Sequence, residues 1–531
     1  MSSSSLLLRI PGTPFSINDL RPDTQLAALA ASLLARRQRT TILDYGTVEM
    51  LEALFPTALC APSSRELPEV QATAFVPGHD IETGLVTPTP FSRPIQDQQK
   101  AVWERVGEKI AARRDFDYAI LVINHPKDLI AARIVSKRLR ALLPRVRLVA
   151  CGPAFNQNKD LVSKMVRTFD AIYLGMGGQS DLRLAELLED TKSWHEIPDL
   201  AYVDGVRYTL TPSETPTDNA PLPCPAFEPE IYPAIGEQTK LQLFDIEEIR
   251  SEDHADTGIG ALPCYQKPLE DVLEEIRSLR EQYHVHAFHF SGCLQNSPHA
   301  LDLARELLSR KMQIRYSRDA HISSTAPHSI GSLSASGCQA VDFRIGTGSQ
   351  LLLDRYHGSP FGVSEVERVM RRTRFSDLFA STHYIFPTPE DDHHTLAESL
   401  RLIDRSHPDS VTIHLPNANG ARSSRGHLFH EFRPFRKHAQ KRAAAENESF
   451  RNEVEELGVD QDISARFALL AELAGHRGRE VEFKEQFTHQ LLSGDTFGIS
   501  STIQRINERA TMPEKIFQLK PFTPSQDAIA N

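Results

Sequence analysis

Short apolar runs alternate with amphipathic stretches along most of this chain. Leu6–Ile10, Thr40–Leu43, Tyr118–Ile123, Val146–Ala150 and Ala171–Leu174 read as strands. Between them, Thr24–Arg37 places Leu26, Leu29, Leu33 and Leu34 on one helical face, and Gln98–Arg113, Ala131–Leu143 and Asp160–Arg167 repeat the pattern. Strands separated by helices of this length are the βαβ signature of a parallel, doubly wound sheet over residues 1–210. Ligands of such sheets bind outside the carboxyl ends of the strands. Turn residues follow four strands there: Asp44-Tyr45-Gly46, Asn124-His125-Pro126, Cys151-Gly152-Pro153 and Gly175-Met176-Gly177-Gly178. Each could simply end its strand, but together they form a candidate binding rim of Asp44, Gly46, Asn124, His125, Gly152, Pro153, Gly175, Gly177 and Gly178. The dinucleotide fingerprint G-x-G-x-x-G does not follow the first strand.

Residues 211–236 break the alternation with seven prolines between Pro212 and Pro233 and read as a linker. The pattern then resumes over 237–415. The predicted strands are Lys240–Phe244, Val285–Phe290, Gln313–Arg318, Ala340–Ile345, Ser381–Phe386 and Ser410–His414. Helices are predicted over Leu269–Tyr283, His299–Arg310, Ser329–Ser336, Ser364–Arg372 and Leu396–Arg405. About six βα units in this span predict a partial parallel barrel with its site at the carboxyl ends of the strands. Strand signals fade over 416–531, where helices are predicted over Arg433–Glu456, Asp462–Ala474, Lys484–Leu492 and Ser500–Arg509.

Composition narrows the function. With 531 residues the chain exceeds one core, and a net charge of −11 argues against a broad nucleic-acid-binding face. The basic stretch Ala421–Ala445, with Phe429, Phe432 and Phe435 interleaved, reads better as a solvated or interdomain face. No apolar run reaches membrane-spanning length, and the start lacks a long apolar signal segment. The six cysteines, at 60, 151, 224, 264, 293 and 338, are scattered. In a large chain without a signal they point to reduced thiols and a cytoplasmic setting. His393 and His394 follow Glu390-Asp391-Asp392 at a predicted helix start, where acidic residues need no metal to be favoured.

The order of elements and several phrases resemble the cobalamin-dependent radical SAM family, whose methyltransferases join a Rossmann-like cobalamin-binding domain to a (β/α) barrel. The turn Cys151-Gly152-Pro153 resembles the family's Gly-Gly-Pro. Gly175-Met176-Gly177-Gly178 resembles its Gly-Glu-Gly-Glu with both acids replaced, and Ile197–Gly205 resembles its closing "ipgla…dG". In the barrel, Val272–Tyr283 followed by Phe288–Asn296 is similar to "vv.Ei..l...yg" and the strand after it. Ser336–Gln350, continuing to Gly358, is similar to "aGc..v.fGiEsGsq.lLd…kg", and Tyr384–Asp391 echoes "fi.G.PgEt". The resemblance implies cobalamin as cofactor, a small-molecule substrate and a role in natural-product or cofactor biosynthesis, such as methyl transfer or scaffold rearrangement. It also implies a C-terminal helical cap over the site. The cobalt-ligating Asp-x-His-x-x-Gly of other corrinoid proteins is absent, as is usual in this family; His125 sits at a strand end, where a lone loop histidine is more often solvated than a ligand.

The departures lie at one end of the site. The resemblance implies a 4Fe-4S cluster held by three thiolates on one loop, spaced C-x-x-x-C-x-x-C, with one iron left open to S-adenosylmethionine. The matching loop, Asp256–Tyr265, holds Cys264 alone. Gly346 stands where the family has glutamate, and Arg344 replaces the first glycine of the same phrase. Cluster-dependent cleavage of S-adenosylmethionine is therefore not expected, whereas the corrinoid end is retained. Cys264, Cys293 and His289 are the candidate catalytic groups at the barrel mouth. Cys264 and Cys293, with His254 and His289, are a weak metal set whose spacing specifies nothing. The alternative is a catalytically degenerate paralogue that serves as partner or regulator of an intact enzyme.

Overall fold

The structure, a computed structural model, describes residues 4–12, 17–54, 77–79, 86–88, 93–125, 128–156, 159–174, 184, 191–205, 207–212, 223–236, 240–250, 265–292, 298–354, 359–385, 393–414, 475 and 496–511. In the first half, strands β1 (Ser4–Arg9), β2 (Arg39–Asp44), β5 (Tyr118–Val122), β6 (Arg147–Cys151) and β7 (Ala171–Tyr173) run parallel. The hairpin β8 (Leu200–Asp204) and β9 (Arg207–Leu210) extends this sheet antiparallel, giving the order β2-β1-β5-β6-β7-β8-β9. The short pair β3 (Pro77–His79) and β4 (Val86–Pro88) stands apart. From β1 the chain goes to β2 on one side and then crosses to β5 on the other, so strand order reverses between β1 and β5. Such a reversal opens a crevice at the carboxyl ends.

The helices follow the apolar pattern. Helix α1 (Thr24–Ala35) starts at Asp23, whose side chain accepts from the Leu26 backbone N–H as an N-cap. It buries Leu26, Leu29 and Leu33. Helices α2 (Val48–Leu54), α3 (Arg93–Arg113), α4 (Asp128–Leu142), α5 (Pro153–Asn156) and α6 (Lys159–Met165) complete this half. Of the proline-rich stretch, residues 223–236 pack rather than hang free. Phe227 and Tyr232 are fully buried, and α7 (Pro233–Gly236) lies against β2.

The second half holds six parallel strands in the order β10 (Phe244–Glu247), β13 (Ala287–Ser291), β14 (Arg315–Ala320), β15 (Cys338–Gly346), β16 (Phe379–Ile385) and β17 (Ser410–His414). A small antiparallel pair, β11 (Ile249–Arg250) and β12 (Tyr265–Gln266), follows β10. Among the described residues the sheet does not close, which makes it a partial barrel. Helices α8 (Leu269–Tyr283), α9 (His299–Ser309), α10 (Ile330–Ala335), α11 (Gln350–Leu352), α12 (Val363–Phe375) and α13 (His393–Ser406) connect its strands. Strand β10 begins four residues later than the apolar pattern suggests. Leu241 and Leu243 are buried in the core of the first half, and Lys240 in a charged cluster, so this stretch is held by side chains before strand pairing starts.

One continuous core joins α1 and one face of the first sheet to the second sheet and its helices, with Phe227, Phe244 and Phe288 between them. Helix α14 (Thr496–Ala510) buries Ile499, Ile503 and Ile506 in the core on the other face of the first sheet. Its carboxyl end meets the foot of the second sheet: the Ala510 carbonyl accepts from His286 N–H at 2.8 Å, and the Arg509 carbonyl from Arg315 at 2.8 Å. This helix therefore seals the end opposite the strand mouths. The other helices predicted beyond 416 lie outside the described residues. No described helix is long and apolar enough to cross a membrane.

Candidate functional site

At the carboxyl ends of β1 and β2, two strands deliver Arg9 and Asp44 into a buried ionic cluster. Arg9 lies 3.2 Å from Asp19 and 3.5 Å from both Asp23 and Asp44. Lys240, just ahead of β10, places its Nζ 2.5 Å from Asp44 Oδ2 and also donates to the carbonyls of Asp19 and Arg21. The Tyr232 hydroxyl donates to Asp44 and accepts from the Asp23 N–H at 2.9 Å. Arg21 pairs with Asp245 of β10. Burial alone would raise the Asp44 carboxyl, but Lys240 and Arg9 outweigh it and hold it below its ordinary value. Burial pushes the Lys240 ammonium down to about 8 against the attraction of Asp44. The Tyr232 phenol is driven well up, first by burial and then by Asp44 and Asp23.

This cluster decides what Asp44 does. The sequence places it on a ligand rim; in the fold its side chain has no exposure, and it also accepts the Gly46 N–H at 2.8 Å. Its carboxylate ties the first sheet to the start of the second. Gly46 is likewise fixed by packing, because a Cβ there would lie 2.1 Å from the Asp19 carbonyl oxygen. Sequence reading missed Arg9, Asp19, Asp23, Tyr232 and Lys240 as members of this cluster. The one local signal was a charge, Arg9, inside the apolar run Leu6–Ile10.

The remaining described rim residues flank the β1–β5 crevice. Asp128, at the start of α4, accepts from Gly12 N–H at 2.6 Å and His125 N–H at 2.9 Å, binding the two flanking loops together. His125 is exposed. Asn124 donates through Nδ2 to Asp23 Oδ2 at 2.6 Å. Because a carboxylate only accepts, that contact fixes the amide orientation, and Asn124 Oδ1 is buried without a hydrogen-bond partner. Gly152 adopts φ +120° against Ile123, and Pro153 opens α5 beside it. Gly175, Gly177 and Gly178 lie outside the described residues, as do Cys264 and Cys293.

At the mouth of the second sheet, His289 lies within β13 and is fully buried; its Nδ1 is 2.8 Å from Ser317 Oγ. Behind it, Glu248 pairs with Arg318 at 3.0 Å and lies 3.7 Å from His299. Burial raises the Glu248 carboxyl despite Arg318 and lowers the His299 imidazole. Of the described cysteines, Cys151 and Cys338 are buried and Cys224 is exposed, none of the three in a disulfide. Among the described residues, no group of three or more His, Cys, Asp or Glu side chains is placed to hold a metal ion.

No protein-family model matches the chain, and no curated protein sequence does. Solved structures do. The radical S-adenosylmethionine methyltransferase TsrM from Kitasatospora setae, solved with cobalamin and a 4Fe-4S cluster bound, is 15% identical with a TM-score of 0.54. That match covers 78% of this chain and 75% of TsrM. TsrM with tryptophan substrate and a SAM analogue bound gives a TM-score of 0.55 at 15% identity, over 78% of this chain and 73% of TsrM. The cobalamin-dependent radical enzyme OxsB, with aqua-cobalamin and S-adenosylmethionine bound, is 12% identical with a TM-score of 0.56. That match covers 83% of this chain and 56% of OxsB, so the chain spans little more than half of OxsB's length. At these identities the likeness is one of fold: the chain has the architecture of TsrM and OxsB, radical S-adenosylmethionine enzymes solved with cobalamin bound.

Proposed function

We propose that this chain binds a corrinoid at the carboxyl ends of its first sheet and presents it to a small-molecule substrate at the mouth of the second. The observation that carries this reading is Asn124 Oδ1, a buried acceptor without a partner beside the β1–β5 crevice. A corrinoid is edged with amide groups, and one amide N–H would satisfy that oxygen, which otherwise bears the full desolvation penalty. Asn124, His125, Gly152 and Pro153 are the described residues that would hold it, joined in this proposal by Gly175, Gly177 and Gly178. Asp44 and Gly46 support the rim from beneath. When bound as methylcobalamin, the group supplies a transferable methyl. The fold of TsrM and OxsB supports the reading, and so do the sequence phrases that surround the rim.

The loop that would carry a cluster holds Cys264 alone. The proposal therefore leaves out conventional cluster-dependent cleavage of S-adenosylmethionine and places the chemistry at the corrinoid, in a biosynthetic methyl transfer or rearrangement. The same loop, together with Gly346 in place of glutamate, favours a second reading: a degenerate paralogue that assists an intact enzyme. Absorption spectra of the purified full-length protein, after incubation with hydroxocobalamin and separately with iron and sulfide, distinguish them. Stoichiometric corrinoid bands with no iron–sulfur shoulder are expected. Absence of both signals would leave the partner reading, and a four-iron signal would refute the account of the cysteine loop.

A further inference from the structure

The two edges of the first sheet are finished differently. At one end β2 is covered: its Ile42 N–H donates to the Ile231 carbonyl at 2.7 Å, and α7 packs against it. At the other end stands β9, which among the described residues pairs with β8 alone. Register decides which of its backbone groups face outward. Leu174 N–H donates to the Asp199 carbonyl, so Ala201 bonds toward β7, while Leu200, Tyr202 and Asp204 turn toward β9. Thr211 N–H accordingly donates to the Leu200 carbonyl at 3.0 Å. Thr209 and Arg207, opposite Tyr202 and Asp204, therefore bond to β8, and the N–H and C=O groups of Tyr208 and Leu210 point away from the sheet.

Such an edge is a template for another strand, and proteins commonly block it with proline, lysine, a bulge or a covering segment. In β9, Arg207 at the first position is the one charge, there is no proline, and the ladder to β8 runs without a shift in register. Tyr208 and Leu210 instead keep 44% and 43% of their surface exposed, on one face of the strand. Val203, opposite Tyr208, packs on the core of that face, so the pair continues an apolar surface past the last strand.

The four outward groups are self-complementary about a two-fold axis through Thr209. Against a second β9 running antiparallel, Tyr208 meets the partner's Leu210 and exchanges both backbone hydrogen bonds with it, and Leu210 meets the partner's Tyr208 likewise. Sliding the partner two residues would set Tyr208 against the partner's Pro212, which has no N–H to give. Because the β2 edge is covered, pairing closes at a dimer and does not run on as a filament.

We infer that β9 is a self-association edge, at which a second copy of this chain pairs antiparallel about Thr209 and continues the first sheet. Tyr208 and Leu210 form the cross-strand side-chain contacts that accompany the backbone bonds. A strand of four residues covers a small area, which places the dimer in the weak, exchanging class. The inference goes beyond corrinoid binding and does not depend on it.

Sedimentation velocity of the full-length protein from about 5 to about 500 μM, the range of weak interfaces, is expected to show passage from monomer to dimer. Leu210→Pro removes an outward N–H and no bond to β8, and should raise the midpoint about tenfold or more, since the dimer loses two hydrogen bonds. Cysteine pairs read the register. Thr209 and the partner's Thr209 form a non-hydrogen-bonded pair, whose Cα separation of about 4.5 Å permits a disulfide. Mild oxidation should link Thr209→Cys into a covalent dimer and leave both Arg207→Cys and the unsubstituted chain, with its exposed Cys224, unlinked. This keeps the test open if the proline variant fails to fold. A chain monomeric throughout the series, a dimer unmoved by Leu210→Pro, or Arg207→Cys linked as readily as Thr209→Cys would each overturn the assignment.

Discussion

Lys240→Met should lower the stability of this protein by about 3–5 kcal/mol, the scale of removing one partner from a buried ion pair. The methionine fills the volume but leaves Asp44, with no exposed side-chain surface, one cation short. It also strips a donor from the Asp19 and Arg21 carbonyls. Thermal and urea denaturation of the full-length chain would measure the loss, and a change below about 1 kcal/mol, the worth of a surface pair, would show that the cluster is not closed to water. Asp44→Asn combined with Lys240→Met should cost less than the sum of the two single changes, because the residues share one interaction. Acid acts on the same cluster. The Asp44 carboxyl titrates below its unfolded value of 3.8 in the folded chain, so the unfolded chain binds more protons in that range. Its contribution is complete above pH 3.8 and is lost as pH falls through the lower folded value.

The elements of this fold were largely legible in the sequence because its helices and strands bury one face each. The 3.6-residue period of Leu269–Tyr283 marked α8 to the residue, and Ser410–His414 marked β17 likewise. Antiparallel β8 and β9 were missed because Leu200–Leu210 alternates weakly: Tyr202, Asp204, Arg207 and Tyr208 leave no apolar stripe. The site was less legible, for reasons of distance along the chain. Asp44 looked like a strand-end ligand because nothing near it in sequence shows that Tyr232, 188 residues away, and Lys240 close over it. Its neighbour Gly46 looked like a turn residue for a ligand, whereas close approach of the Asp19 backbone explains it.

The row of ionisable residues across the second sheet, His289 on β13, Asp342 on β15 and His383 on β16, did leave a trace. Ala-Phe-His-Phe, Ala-Val-Asp-Phe and Ser-Thr-His-Tyr each set one ionisable residue among apolar or small neighbours in a predicted strand. A fully buried parallel strand would not carry one there. Taken singly, each is compatible with a satisfied core side chain. Strand order and register alone bring the three to one face, and neither is encoded in any single strand. His289 was selected from sequence for its closeness to the cysteine loop, yet the structure sets it beside Ser317 and Asp319, within the row.

Gly152→Ala should damage the rim through backbone strain and steric overlap together. Gly152 adopts φ +120°, a conformation that costs any L side chain roughly 1–3 kcal/mol. Its added Cβ would also lie 2.4 Å from the Ile123 carbonyl oxygen, which accepts the Ala154 N–H at 3.2 Å. The backbone would have to move, breaking that bond and shifting the end of β6 against β5. We expect a loss of at least about 3 kcal/mol, the strain and the lost hydrogen bond together, read as a lower urea midpoint. Corrinoid uptake should then fall at least in proportion to the fraction folded, because the same turn is proposed to hold the cofactor. Asn124→Ala makes the contrast, because it removes the amide proposed to meet the corrinoid and forms no overlap. Its uptake should fall while the protein stays folded, so the two variants separate the turn that builds the rim from the side chain that uses it. Wild-type uptake by a well-folded Asn124→Ala variant would remove this residue from the binding site, whatever Gly152→Ala does.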